Sequence, residues 1–485
     1  MRQNFAQPLL CFLSLLALCG CASRPVNPRI AQVDKSTGYR FETRQLHNPD
    51  KDNLVILAFS GGGTRAAAFS YGVLEFLRRT QVVGPDGATS RLIDAVDVIT
   101  GVSGGSFTAL AYGFYGDRLF DNYEKQFLKR NIQGKLLRRV INPLHWPALW
   151  SRSWGRSEMA ADLYDEVLFN GATYADLDRG TGPYIIVSAT DITNGFRLAF
   201  HQEMFDVLCS GLDAVRLSRA AAASSAVPVA LSPVTLNNYG NTCNYSPADW
   251  IAPFVQLDNP PRPAARAIRD RNIIAQYKDS AQRPYIHLVD GGVSDNLGMR
   301  GVLDALEVFE ALHDRGMSTP IEEAKRIVVF VVNSLSTPPT DWDKHESAPG
   351  SVNVLVKAAG VPIDHYSFEA VELLKDTAAR WRALRQLRDS PAFERGRDPA
   401  VDTVLGVPRP DIYAIDVSFA QLKDREEFKY LNKQATSFSL PDEAVDRLRA
   451  AAGEIILESP EFQRFLKDAG HTIVPEVSPA PVTAP

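Results

Sequence analysis

Cysteine is scarce in this 485-residue chain, and Cys11, Cys19 and Cys21 crowd into its start, leaving only Cys209 and Cys243 in the body. There is no Cys-x-x-Cys pair and no Cys/His cluster, so the sequence carries no zinc signature and neither a metal nor a cofactor is expected. Past the first residues no apolar run approaches the roughly 20 residues a membrane-crossing helix needs. Positive charge is not in excess: the formal net charge is −5, which gives no support for nucleic-acid binding. No internal repeat is present, which removes solenoid and propeller architectures. What remains is 45% hydrophobic and 22% charged residues, ordinary for a folded globular body.

The first residues differ from the rest. Arg2 supplies a positive start and Leu9 to Leu18 an apolar stretch too short to span a bilayer. It ends in Leu18-Cys19-Gly20-Cys21, followed by Ala22, which resembles a bacterial lipoprotein signal with Cys21 as the lipidated residue. Residues 1–20 are therefore expected to be a signal peptide, and 21–52, which contain Pro25 and Pro28, a lipidated tether. Ala22 after the cysteine resembles lipoproteins sent to the outer membrane, facing the periplasm, and acyl chains on Cys21 would hold the protein to that membrane. An even pair left in an oxidising compartment, Cys209 and Cys243, is expected to form a disulfide.

Continuous apolar runs at 54–59, 96–100, 184–189, 285–289 and 326–333 read as buried strands, with a weaker one at 412–418. They alternate with helical segments, among them 64–79, 104–114, 368–388 and 442–468. The expected fold is α/β: a mostly parallel sheet flanked by helices on both faces, with a C-terminal helical extension. One catalytic domain is expected over 53–335, with an irregular excursion at about 236–284. An extension over 336–473 would complete the domain, and the Pro-rich 474–485 reads as a disordered tail. In such sheets chemistry sits beyond the carboxyl ends of the strands.

Three loops at strand ends carry that chemistry. Ile99-Thr100-Gly101-Val102-Ser103-Gly104-Gly105 reads as strand, sharp turn and helix, a nucleophile elbow with Ser103 at its tip. Gly61-Gly62-Gly63 reads as a loop whose backbone N–H groups approach a developing oxyanion, with Arg65 either bracing the loop or adding positive potential. Ser103 needs a base. None of the eight histidines sits in an obvious triad loop, and Asp290, in Val-Asp-Gly-Gly-Val, is the better candidate because an apolar setting raises a carboxylate's pKa. Asp191 and Asp295 are rival carboxylates read as structural.

The segments Gly-Gly-Gly-Thr-Arg (61–65), Gly-Val-Ser-Gly-Gly (101–105), Ala-Ser-Ser-Ala-Val-Pro (223–228) and Asp-Gly-Gly (290–292), in this order, resemble the patatin-like phospholipases over residues 53–300. The resemblance implies a three-layer α/β/α fold and a Ser103–Asp290 catalytic dyad. It also implies an oxyanion hole at Gly61, Gly62, Gly63 and Arg65, and hydrolysis of phospholipid or lysophospholipid esters through an acyl-enzyme, without metal. Ala66 stands where that family usually has glycine.

Other readings compete. A Ser-His-Asp esterase would need a late histidine, for which His365 is the candidate. A non-catalytic lipid-binding lipoprotein would keep the fold without turnover. Gly61, Gly63 and Ala66 formally satisfy a dinucleotide fingerprint, but no acidic ribose partner follows at a second strand end. Within 125–157, Lys135, Arg138 and Arg139 precede Trp146, Trp150 and Trp154. Because tryptophan is highly buried on average, these are expected to be a core-packing stripe beneath a solvated basic face; contact with an anionic bilayer is the alternative.

Overall fold

The computed structural model describes residues 22–41, 51–151, 153–246, 265–313, 323–338, 340–391, 393, 401 and 404–475. The signal segment with Cys21 and the tail beyond residue 475 lie outside these. The strands are β1 (Asn53–Phe59), β2 (Gln81–Val83), β3 (Thr89–Arg91), β4 (Val96–Val102), β5 (Tyr184–Asp191), β6 (Phe196–Phe200), β7 (Val234–Asn237), β8 (Tyr285–Val289), β9 (Arg326–Asn333), β10 (Asp411–Ser418) and β11 (Thr472–Ile473). The helices that matter here are α1 (Gly63–Arg79), α2 (Gly104–Tyr115), α3 (Ile132–Ile141), α4 (Leu217–Ser224), α5 (Ser351–Arg388), α6 (Asp442–Glu458) and α7 (Pro460–Ala469).

The main sheet runs β10-β9-β1-β4-β5-β8-β7, with β6 on the other edge of β5. From β10 to β5 every pairing is parallel. Their apolar runs are buried on both faces because helices cover both. Registers align the carboxyl ends: Phe59 sits level with Gly101 on one side and Val332 on the other. The loops after β1, β4 and β9 therefore emerge side by side. The sheet is mostly parallel, as expected, and turns antiparallel around β5, where β6, β8 and β7 pair in that sense. β8 joins β5 through only two residues, Val289 opposite Thr190 and Leu288 opposite Asp191. That is the edge along which β4 runs, since β6 takes the opposite one, and β4 stops with Val102 opposite Ser188. β4 and β8 thus point their carboxyl ends at each other across one residue of β5.

The C-terminal part completes the sheet, β10 pairing β9 and β11 pairing β2, while α6 packs along α1. Helix α5 begins at Ser351, well before the expected 368, and carries Pro362 within it. Among the described residues no helix is long and apolar enough to cross a membrane.

The expectation of a loose tether is corrected over residues 22–41. Tyr39 is fully buried, stacks on Tyr184 and accepts a hydrogen bond from Ile185 N at 2.7 Å. Arg40 pairs with buried Asp206 at 2.7 Å, and Ile30 N donates to Cys209 O. A proline-containing polar segment reads as a linker, but two aromatic and charged anchors near its end suffice to strap it to the body. Cys209 and Cys243 form a disulfide beneath this strap, with their Cα atoms 5.4 Å apart.

Candidate active site

The elbow after β4 is strained. Ser103 has φ 47° and ψ −118°, outside the regions that ordinary side chains favour. Its backbone is held by Ser224 at the end of α4. Ser103 N donates to Ser224 Oγ at 2.8 Å, and that hydroxyl donates on to Ser188 O at 2.7 Å. Close approach requires the neighbouring glycines: a methyl group on Gly104 would collide with the carbonyl oxygen of Gly63. The elbow and the glycine loop are thus packed backbone to backbone.

Asp290 arrives from the reversed strand β8. Its backbone N donates to Ala226 O at 3.0 Å and its carbonyl accepts from Thr190 Oγ1 at 2.9 Å, which fixes the turn. The side chain then meets Ser103: Ser103 Oγ donates to Asp290 Oδ2 at 2.9 Å, while Oδ1 accepts from Gly292 N at 2.8 Å. Burial raises the Asp290 pKa to about 6, against the opposing pull of the Gly292 and Ser103 hydrogen bonds. Among the described residues no cation offsets that burial. A carboxylate so placed is a base near neutral pH.

In the glycine loop, Gly62 has φ 140° and precedes α1. The N–H of Gly61, expected as an oxyanion donor, is already donated to Asn296 O at 2.8 Å, so that expectation is corrected. The N–H groups of Gly62 and Gly63 make no hydrogen bond among the described residues, as befits the start of a helix. Arg65 resolves in favour of bracing: Nε donates to Ser334 O at 2.7 Å and Nη1 to Gln434 O at 2.8 Å, leaving it buried under the loop. Desolvation lowers its pKa to about 10, partly countered by Asp364, and it stays cationic at neutral pH. Ala66 is fully buried, so its methyl group is accommodated within the helix packing.

The rival groups fall away from the dyad. Asp191 is held by Tyr277 at 2.8 Å and Arg283 at 2.7 Å. Asp295 accepts from Arg300 N and Met299 N at the next helix start. His287 bonds Thr235, and His365 is exposed on α5. Ser103 and Asp290 have no histidine partner among the described residues. Sequence reasoning missed Ser224, Ser334 and Asn296. The first lies inside the 223–228 motif, but the other two carry no local signal, since each acts through tertiary hydrogen bonds to residues far away in the chain. A cleft of about 680 Å³ lined by Arg24, Trp154, Ser232, Tyr285 and His287 is separate, including neither member of the dyad.

No curated protein matches the chain. Among solved structures it is similar to human GIVD cytosolic phospholipase A2 (14% identity, TM-score 0.41), covering 87% of this chain and 60% of that one. It is also similar to VipD from Legionella pneumophila (11%, TM-score 0.28, covering 94% and 74%) and to the type III effector protein ExoU (11%, TM-score 0.21, covering 87% and 84%). The chain thus spans 60% of the length of the human enzyme. The family model for patatin-like phospholipases matches residues 57–303, the stretch that contains the glycine loop, the elbow and the Asp290 turn. On that match the chain belongs to the patatin-like phospholipase family.

Proposed function

We propose that the protein is a serine lipid acyl hydrolase of phospholipase or lysophospholipase type, working through Ser103 and Asp290. The observation that carries this is the 2.9 Å hydrogen bond from Ser103 Oγ to a buried carboxylate with a pKa raised to about 6. Asp290 takes the Ser103 proton as Oγ attacks the ester carbonyl. The N–H groups of Gly62 and Gly63, with the positive start of α1, hold the oxyanion. The tetrahedral intermediate collapses, the C–O bond to the leaving alcohol breaks, and Asp290 returns its proton to that alcohol. Water, deprotonated by Asp290, then attacks the acyl-enzyme and releases the fatty acid. In the same reading Cys21 carries the acyl chains of a lipoprotein and the protein sits on the outer membrane, facing the periplasm.

The test is incubation of purified protein with mixed phospholipids and lysolipids, read by mass spectrometry. Free fatty acid and the deacylated alcohol are expected. Ser103→Ala is expected to lose on the order of 10⁴-fold or more in turnover, with its fold retained. Wild-type turnover in Ser103→Ala would end this reading. Transfer of the acyl group to another alcohol, without free acid, would make the enzyme an acyltransferase.

A further inference from the structure

The tryptophan segment is not a core stripe. Leu144 is 85% exposed and Trp150 72%, and Leu137, Ile141 and Trp146 are exposed with them. Leu137 and Ile141 stand one turn apart on α3, and the indoles of Trp146 and Trp150 lie 6.4 Å from each other just beyond it. Helix α3 stops at Ile141, and Pro143 and Pro147 each open the short turn that follows, at Pro143–His145 and Trp146–Leu149. So much exposed apolar surface in one short segment marks an interaction face.

Charge on this face is mostly positive, with Glu166 the acidic exception. Arg139 is engaged by Glu166 at 2.5 Å, but Arg130, Lys135 and Arg138 have no ion pair among the described residues. Lys135 has its pKa lowered by desolvation and by the nearby cations Arg130, Arg139 and Arg138, a crowding that an anionic surface relieves. The first described residue is held at the same place: Ser151 Oγ donates to Ala22 O at 2.6 Å, one residue past Trp150.

The segment also flanks the active site. Near its start, Gln133 N and Oε1 both bond the backbone of Phe438, and the neighbouring Ser437 O accepts from Thr64 N beside the glycine loop. Near its end, Ser157 N donates to Ser232 Oγ, on the chain that leads back through exposed Val229 and Val227 to Ala226, the acceptor for Asp290 N.

We propose that residues 130–150 form a docking face for an anionic phospholipid bilayer, with Leu137, Ile141, Leu144, Trp146 and Trp150 entering the interface and Arg130, Lys135 and Arg138 facing headgroup phosphates. Interfacial tryptophan and a basic amphipathic helix are the chemistry of such surfaces. This deepens the lipid-hydrolase reading, on which its purpose rests, by placing the bilayer beside the mouth of the site.

The experiment uses the chain from Ala22 to Pro485, which contains every described element, with vesicles of phosphatidylcholine alone or mixed with phosphatidylglycerol. Co-sedimentation is expected with the mixed vesicles, together with a blue shift of the indole emission. Leu144→Asp and Trp150→Ala are expected to weaken it by about tenfold or more, with the thermal melt and the hydrolysis of a water-soluble short-chain ester unchanged. Lys135→Glu with Arg138→Glu is expected to abolish the preference for phosphatidylglycerol and its salt dependence. Wild-type partitioning in these variants overturns the proposal, as does a patch that proves to be covered by a second copy, seen as a dimer that the same variants dissociate. Absence of soluble-ester turnover in the parent protein would instead count against the hydrolase reading, leaving vesicle binding as a separate result.

Discussion

Ser103 pays for its position with a backbone that L side chains rarely adopt, at φ 47°, a cost on the order of 1–3 kcal/mol. Glycine carries no such penalty. Ser103→Gly is therefore expected to exceed Ser103→Ala by about 1–2 kcal/mol of stability, the strain adding to the ordinary preference for glycine over alanine at a helix N-cap. Both lack the hydroxyl, so calorimetry of the pair reads the strain together with that preference. Asp290 adds a pH dependence whose sign follows from burial. Its pKa stands at about 6, above the ordinary aspartate value of 3.8, so its protonated form is the one the fold favours. That stability is present below about pH 4 and is lost as pH rises through about 6, amounting to about 3 kcal/mol. Asp290→Asn does not titrate, and its stability relative to the parent is expected to improve by about that amount between about pH 4 and about pH 8, in thermal melts. Activity of the parent runs the other way: kcat/KM is expected to fall about tenfold per unit below pH 6, where the base is protonated. A flat profile would remove Asp290 from the base role.

Among the elements, the contact between the glycine loop and the elbow is the most constrained. A methyl on Gly104 would overlap Gly63 O, backbone against backbone, so neither side can yield as a flexible side chain would. Gly104→Ala is expected to abolish ester hydrolysis and to cost at least about 2–3 kcal/mol in denaturant unfolding. The sequence marked these glycines as a tight turn, and the strand–turn–helix reading at 96–114 matches β4 and α2 closely because a continuous β-branched run followed by small residues has few other uses. Arg65 was only half legible. Its two acceptors, Ser334 O and Gln434 O, lie hundreds of positions away, and nothing near Arg65 in the chain distinguishes a brace from a donor. The same holds for Gly61, whose N–H is claimed by Asn296. The tryptophans at 146 and 150 misled for another reason: average burial describes residue types, and these two indoles are exposed.

At the scale of the molecule, the strap 22–41, β7 and residues 238–246 are held together around one covalent link. The Cys209–Cys243 bond closes 34 positions of chain, worth about 4 kcal/mol by loop entropy. Cys243→Ser with Cys209→Ser is expected to lose about that much, measured as a lower melting temperature, with kcat on a soluble ester nearly unchanged because Ser103 and Asp290 are fixed by other strands. Reduction of the parent protein should give the same shift. The sheet itself shows why the dyad needed three dimensions. β8 runs against its neighbours, and an antiparallel strand at that edge would ordinarily end on the face opposite the active loops. It ends at the site because it overlaps β5 by two residues only and meets β4 end to end.

The amino-acid order determined by itself the main strands and the helices after β1 and β4, that Ser103 tops a sharp turn, and which carboxylate has an apolar setting. These are local matters, set by periodicity, by β-branched runs and by the space that glycine leaves. Only the tertiary structure decided that Asp290 arrives on a reversed strand, that Gly62 and Gly63 rather than Gly61 keep open N–H groups among the described residues, that Arg65 is a brace, and that Trp150 is exposed. Each depends on which distant group a backbone or side-chain atom meets, and hydrogen-bond partners hundreds of residues apart leave no trace in the spacing of the sequence.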